Sequence, residues 1–208
     1  MKKLTKLLTV VIAAMVLTLS ATTVFAAPSP SKVKIASATA AKATYNGKKQ
    51  SAKLTVTATV NGKKVTLKNG VDYKIISAPA KCVNAGKYTI TIKGIGKYTG
   101  TKKITYVINK KKCAAVVSIP NKDKTIKKSN LKKKSKTVKI SIKNKAKGSK
   151  VKYGLGSTAR KLRKYVTIGK NGKVTIKKGA PKARYRVTVK ITNKNYTTKK
   201  KVVVMVVK

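Results

Sequence analysis

Apolar and polar residues alternate with a period of two along almost the whole chain. Over residues 53–60, Leu54, Val56, Ala58 and Val60 share one face and Thr55, Thr57 and Thr59 the other. Residues 87–93 set Tyr88, Ile90 and Ile92 against Thr89 and Thr91, and residues 136–143 set Val138, Ile140 and Ile142 against Lys139 and Ser141. Over residues 183–192, Tyr185, Val187, Val189 and Ile191 oppose Arg184, Arg186, Thr188 and Lys190. Successive side chains of a strand point to opposite sides of its sheet, so each run predicts an antiparallel strand with one buried and one wet face. Beyond the first 26 residues no window keeps a helical stripe. Residues 202–207 are apolar on both faces, which predicts a strand covered by neighbours and guarded by Lys199, Lys200, Lys201 and Lys208.

Turn residues punctuate the runs. Asn-Gly occurs at 46–47, 61–62, 69–70 and 171–172, and both residues tolerate the positive φ of tight hairpins. The pair at 61–62 predicts a hairpin between 54–60 and 63–67, and the pair at 171–172 one between 166–168 and 174–176. The chain also repeats itself. Gly86-Lys87-Tyr88-Thr89-Ile90 leading to Lys97-Tyr98-Thr99 is echoed about a hundred residues later by Tyr185-Arg186-Val187-Thr188-Val189 leading to Asn195-Tyr196-Thr197. Short strands with turns at this spacing predict an all-β chain of two tandem β-sandwich modules, with a boundary near residues 109–112.

Four motifs follow one another in the first half: Tyr45-Asn46-Gly47; Gly70-Val71-Asp72-Tyr73; Asn84-Ala85-Gly86-Lys87-Tyr88; and Gly94-Ile95-Gly96-Lys97-Tyr98-Thr99-Gly100-Thr101. In that order they resemble the bacterial immunoglobulin-like repeats of Firmicute secreted and cell-surface proteins, over about residues 33–108. Residues 169–179, Tyr185 and residues 195–202 resemble a related Lys-rich repeat. The resemblance implies immunoglobulin-like sandwiches, extracellular placement and a spacer or adhesion role, with no catalytic residues.

The start of the chain reads as a signal peptide: Lys2, Lys3 and Lys6, then apolar residues 7–19, then a small-residue cleavage site ending at Ala26. The apolar run is short of the roughly 20 residues of a membrane span. No later segment is long and apolar enough to anchor the chain, so no stable membrane insertion is expected once the leader is removed. The expected organisation is therefore a signal peptide at 1–26, a linker at 27–32, and immunoglobulin-like modules at 33–110 and 111–208. Export permits a disulfide, and Cys82 and Cys113 allow either one bridge or two separate thiols.

Charge changes the functional picture most. Lys and Arg number 53 and acids 2, a formal net charge of +51, with no His. The acids are Asp72 and Asp123. Such charge can signal disorder, but 41% of residues are hydrophobic and they are periodic, which predicts a folded chain with a charged exterior. Acid–base catalysis draws on His or a carboxylate, and two lone acids in separate halves make no glycosidase pair. Zinc and hard-cation sites need more ligands than the chain supplies. No enzyme activity and no cofactor are expected. Residues 154–159 match G-x-G-x-x-A but lack its acid about 20 residues on, and read as a flexible turn or bulge. Asp72 reads as a turn cap, with an acid assisting a Lys–Asn crosslink as the sharper alternative. Tyr88, Tyr106 and Tyr185 share faces with Ile and Val and read as core rather than as stacking platforms for bases. Tyr98 and Tyr196 sit at corners before final strands and read as plugs.

Scarce acids and abundant Lys point to a polyanionic partner outside the cell. Lys is a compact point charge, so binding should be diffuse and salt-sensitive. The expected partner is an anionic cell-wall polymer such as teichoic acid, or another polyanion, for a protein secreted or held at the wall. The candidate contacts are the loop cluster Lys127, Lys128, Lys132, Lys133 and Lys134, and the strand-face residues Lys139, Lys143, Arg184, Arg186 and Lys190. A spacer or adhesin binding a protein or glycan and an extracellular nucleic-acid binder are the rival readings. A cationic antimicrobial agent is a weaker one, since no amphipathic helix is found.

Overall fold

Strands dominate, as the period of two predicts. The computed structural model describes residues 31–208; the predicted leader and residues 27–30 of the predicted linker lie outside the described residues. The first half carries β1 (Val33–Ala40), β2 (Ala43–Thr44), β3 (Leu54–Val60), β4 (Lys63–Thr66), β5 (Tyr73–Ser77), β6 (Gly86–Gly94), β7 (Tyr98–Thr99) and β8 (Thr101–Asn109). They form two sheets, ordered β4-β3-β1-β7 and β2-β8-β6-β5. The inward faces supply one hydrophobic cluster, built around Ile35, Val56, Ala58, Ile90, Ile92, Ile104, Tyr106 and Ile108. The predicted hairpin at 61–62 joins β3 to β4, with Asn61 at φ 48° and Gly62 at φ 75°, the left-handed pair that suits right-twisted strands. Gly94 is required for another reason: a Cβ there would lie 2.8 Å from the backbone nitrogen of Thr99.

One expectation fails inside β3. Alternation assigns Thr57 to the wet face, yet it is buried, and among the described residues its hydroxyl has no hydrogen-bond partner. The register of β1 slips between Ile35 and Ser37 opposite Ala58 and Thr57, so strict alternation does not hold where the two strands cross this bulge.

The second half carries β9 (Val116–Ser118), a 3-10 turn (Asn121–Asp123), β10 (Thr125–Ile126), α1 (Lys128–Lys133), β11 (Lys136–Lys139), β12 (Ser141–Lys143), β13 (Lys150–Gly154), a second 3-10 turn (Arg160–Tyr165), β14 (Val166–Ile168), β15 (Lys173–Ile176), β16 (Ala183–Asn193) and β17 (Tyr196–Val207). The run at 136–143, read as one strand, changes partner at Ile140: β11 pairs with β15 and β12 with β9. Taken together they make a layer ordered β9, β12/β11, β15, β14, which covers the sheet β10-β17-β16-β13. Two antiparallel sheets with this division of strands make an immunoglobulin-type sandwich. Its core is a second cluster, with Val138, Ile140, Val174, Ile176, Tyr185, Val187, Val189, Ile191 and Met205 at its centre. The hairpin predicted at 171–172 joins β14 to β15. The chain is thus all-β, with two sandwiches in succession, and residues 32–208 form one compact unit.

Three further corrections concern elements. The lysine-rich stretch expected to be a loop holds α1, a helix of six residues that buries only Leu131 and so leaves no stripe to read. Residues 154–159, expected to be a flexible turn, form a pinned one. The Thr158 hydroxyl donates to the Arg186 carbonyl at 2.6 Å and accepts from the Arg186 N–H at 2.8 Å. Parallel pairs also occur among the antiparallel ones: β2 lies on the end of β8 and β10 on the end of β17. Beside β10, Val206 N–H donates to Lys124 O at 2.8 Å and Lys208 N–H to Ile126 O at 3.0 Å. This covers the last residues of β17. Val203, Met205 and Val207 are buried and Val204 and Val206 half-buried, so neighbours cover one face of the run fully and the other in part, with Val202 left 37% exposed.

Candidate polyanion-binding surface

In β16 the inward residues Tyr185, Val187, Val189 and Ile191 are buried, which forces Arg184, Arg186, Thr188 and Lys190 outward. Arg184 and Lys190 are exposed and Arg186 is half-buried. Register adds what alternation cannot show. Lys190 stands opposite Lys152 of β13 on one side and Lys200 of β17 on the other. All three are exposed, so three like charges sit in one row across the sheet. Directly opposed like charges destabilise a strand pair. The row continues along β13 to Lys150, which stands opposite Thr192.

The other predicted contacts fall elsewhere. Lys139 and Lys143 are exposed on β11 and β12, whose inward residues feed the same cluster from the opposite layer, so they face away from the β16 group. Lys127, Lys128, Lys132, Lys133 and Lys134 are exposed on and beside α1. The structure therefore spreads the ten predicted residues over both outer faces and one end of the second sandwich, and of them only Lys190 stands in the cross-sheet row, since Arg184 and Arg186 face Val206 and Val204. Among the described residues one ion pair occurs, Lys136 Nζ to Asp123 Oδ1 at 3.0 Å. Asp123 is buried. The other acid, Asp72, accepts the Lys68 N–H at 2.8 Å, the turn-cap role read for it.

The corner between β16 and β17 builds a joint with the first sandwich. Asn195 is buried. Its Oδ1 accepts the Ala85 N–H at 2.9 Å and its Nδ2 donates to Asn84 Oδ1 at 3.0 Å. Lys111 N–H donates to Asn195 O at 3.0 Å, Thr197 N–H to Lys111 O at 2.9 Å, and Cys113 N–H to Thr197 Oγ1 at 3.1 Å. Tyr196 meets Tyr45 edge to face at 5.6 Å. Beside this joint lies a cleft of about 680 Å³, lined by Tyr45, Tyr196 and the lysines 110, 147, 150 and 194 among others. Asn193 fixes its far wall, donating from Nδ2 to Lys147 O at 3.1 Å and to Ser149 Oγ at 3.2 Å. Among the described residues none of the cleft lysines has an acid partner.

Sequence reading missed this cleft. The repeat placed Tyr196 at a corner, but its contact with Tyr45 and the bonds of Asn195 to residues 84 and 85 join segments more than a hundred residues apart. Tyr98 is buried, as a plug should be, whereas Tyr196 is half-buried at the joint. Tyr106 and Tyr185 are buried and Tyr88 packs against the first core. Burial raises the phenol pKa of Tyr73, Tyr106, Tyr153 and Tyr185. Cys82 and Cys113 are free and buried, Cys82 in the first core and Cys113 in the second. No group of three metal-ligating side chains occurs among the described residues, and no helix among them is long and apolar enough to cross a membrane.

A family model described as the fourth Ig-like domain of BT4661 matches residues 124–206, most of the second sandwich. No curated protein matches the chain. Similar solved structures include Drosophila N-cadherin EC1-4, 12% identical over 85% of this chain and 50% of that one, at a TM-score of 0.33. Drosophila OTK extracellular domains 3-5 are 13% identical over 85% of this chain and 62% of that one, at 0.39. BT4661, a SusE-like surface-located polysaccharide-binding protein from the Bacteroides thetaiotaomicron heparin utilisation locus, is 14% identical over 75% of this chain and 42% of that one, at 0.30. The chain thus spans between about two fifths and three fifths of the length of these three.

Proposed function

We propose that the protein is exported and acts outside the cell as two tandem immunoglobulin-like modules, 33–110 and 111–208, that hold an anionic envelope polymer by distributed lysine contacts. The carrying observation is the in-register row Lys152, Lys190 and Lys200. Opposed like charges cost stability, and a polyanion lying across them removes that cost while releasing its counterions. The spread of the other basic residues over several faces supports contact along a polymer rather than capture of one small ligand. A teichoic-acid-like phosphate polymer fits the point charge of Lys.

A second reading keeps the same surface and replaces the phosphate polymer with a glycan. It is favoured by the family match over residues 124–206, since the protein that supplies that model is described as polysaccharide-binding.

The test is retention on purified wall material across a salt series. If about four charges are neutralised, affinity falls about fifty-fold between about 50 and 200 mM salt, by analogy with single-stranded nucleic acid. Retention that is indifferent to salt overturns the proposal. Retention on walls stripped of their anionic polymer overturns its choice of partner.

A further inference from the structure

We infer that the cleft between the two sandwiches is a specific site for an acidic glycan, a chain of sugars bearing carboxylate or sulfate groups. This rests on the second reading above, a glycan held by the same basic surface, and gives it a place. Four features carry it. The cleft is an open concavity of about 680 Å³, within the size range of small-ligand sites. Its charge is of one sign: Lys147 and Lys194 on one wall, Lys150 on β13 and Lys110 on the connector, with no acid paired to any of them. A cleft lined by one sign focuses its field on the space inside. Its walls are preformed, since Asn193 holds the segment at 147–149 and Asn195 holds the first sandwich in place, so little ordering is left for binding to supply.

The fourth feature selects the class. Tyr45 and Tyr196 are the aromatic residues of the cleft, half-buried and set edge to face at 72°. Each offers an apolar body and a polar hydroxyl tip. A sugar has the matching character, with C–H groups on its ring face and hydroxyls on its rim. A phosphate polymer without sugars has no use for the rings. Successive bases of a single strand stack on open aromatic faces, whereas these two rings are crossed and partly cover each other. The lysine row on the outer face reaches the cleft through Lys150, so a chain seated in the cleft can continue across Lys152, Lys190 and Lys200.

The test measures binding of the protein to oligogalacturonate, polyphosphate, dextran and single-stranded poly(dT) at fixed salt. Changing Lys147→Ser and Lys194→Ser together lowers oligogalacturonate affinity about tenfold, while Lys63→Ser with Lys64→Ser, exposed on β4 and away from the cleft, lowers it less than about threefold. Tyr45→Ser lowers oligogalacturonate affinity about fivefold and leaves polyphosphate within about twofold. Should Tyr45→Ser not fold, the exposed lysine pairs still decide the site. Equal losses from the two lysine pairs overturn the site but leave distributed binding standing. Tighter binding of poly(dT) than of oligogalacturonate, or an equal Tyr45→Ser loss on polyphosphate, overturns the glycan class. Dextran bound as tightly as oligogalacturonate overturns the role of charge. Failure to bind any of the three polyanions removes both readings together.

Discussion

Asn195 shows what one side chain carries in this protein. Its amide uses both ends on the first sandwich, and it is buried while doing so. Replacing it by Ala removes both bonds; Ala85 is half-buried and Asn84 exposed, so water takes up the freed groups and the cost is that of the bonds themselves, about 0.5–1.5 kcal/mol each. Asn195→Ala should lower the urea midpoint accordingly and weaken glycan binding through the loosened cleft, whereas substitution of the exposed Lys127 should leave the midpoint unchanged. The buried phenols set a limit at high pH. Their folded pKa lies above the ordinary 10.0 because burial disfavours phenolate. Their contribution is therefore intact below pH about 10, where the unfolded chain is also protonated. It is lost as pH rises toward the folded pKa, because the unfolded state releases protons first. Followed by far-UV circular dichroism, the unfolding midpoint of Tyr185→Phe should gain on that of the parent chain as pH rises above about 10, and a difference that stays constant with pH would remove this contribution.

Strands were legible in the sequence because each announces itself locally. Val56 and Ala58, Ile90 and Ile92, and Tyr185 to Ile191 fall on the buried faces their alternation assigned, and the Asn-Gly pairs at 61–62 and 171–172 turn where they should. What stayed hidden was pairing. Nothing near Ile140 signals that β11 and β12 have different partners, and nothing near Thr125 or Ala43 signals a parallel neighbour some eighty or sixty-five residues away. The row Lys152, Lys190 and Lys200 was hidden for the same reason: each lysine is an ordinary outward residue of its own strand, and only the register makes a row of them. That row has a measurable signature. Lys190→Thr should raise stability by about 0.5 kcal/mol at low salt, with the gain fading as salt shortens the Debye length to about 3 Å at 1 M. The same change should weaken polyanion binding. A variant equally stabilised at all salt concentrations would mean that packing, not charge, explains it.

For the molecule as a whole, 53 basic residues against 2 acids make the folded state a compressed charge. Added salt should raise the thermal midpoint, and polyphosphate at the same ionic strength should raise it further, since a ligand of the native state adds its binding free energy. A midpoint that ignores both would remove the electrostatic account of the surface. The closing strands bear on a different property. β10 follows β9 near the start of the second sandwich and runs parallel to β17, its last strand. A pull applied between residues 124–126 and 206–208 would slide the two strands along their length. The bonds of Val206 and Lys208 to Lys124 and Ile126 would then share the load at once instead of parting in sequence, which is the geometry of a shear clamp.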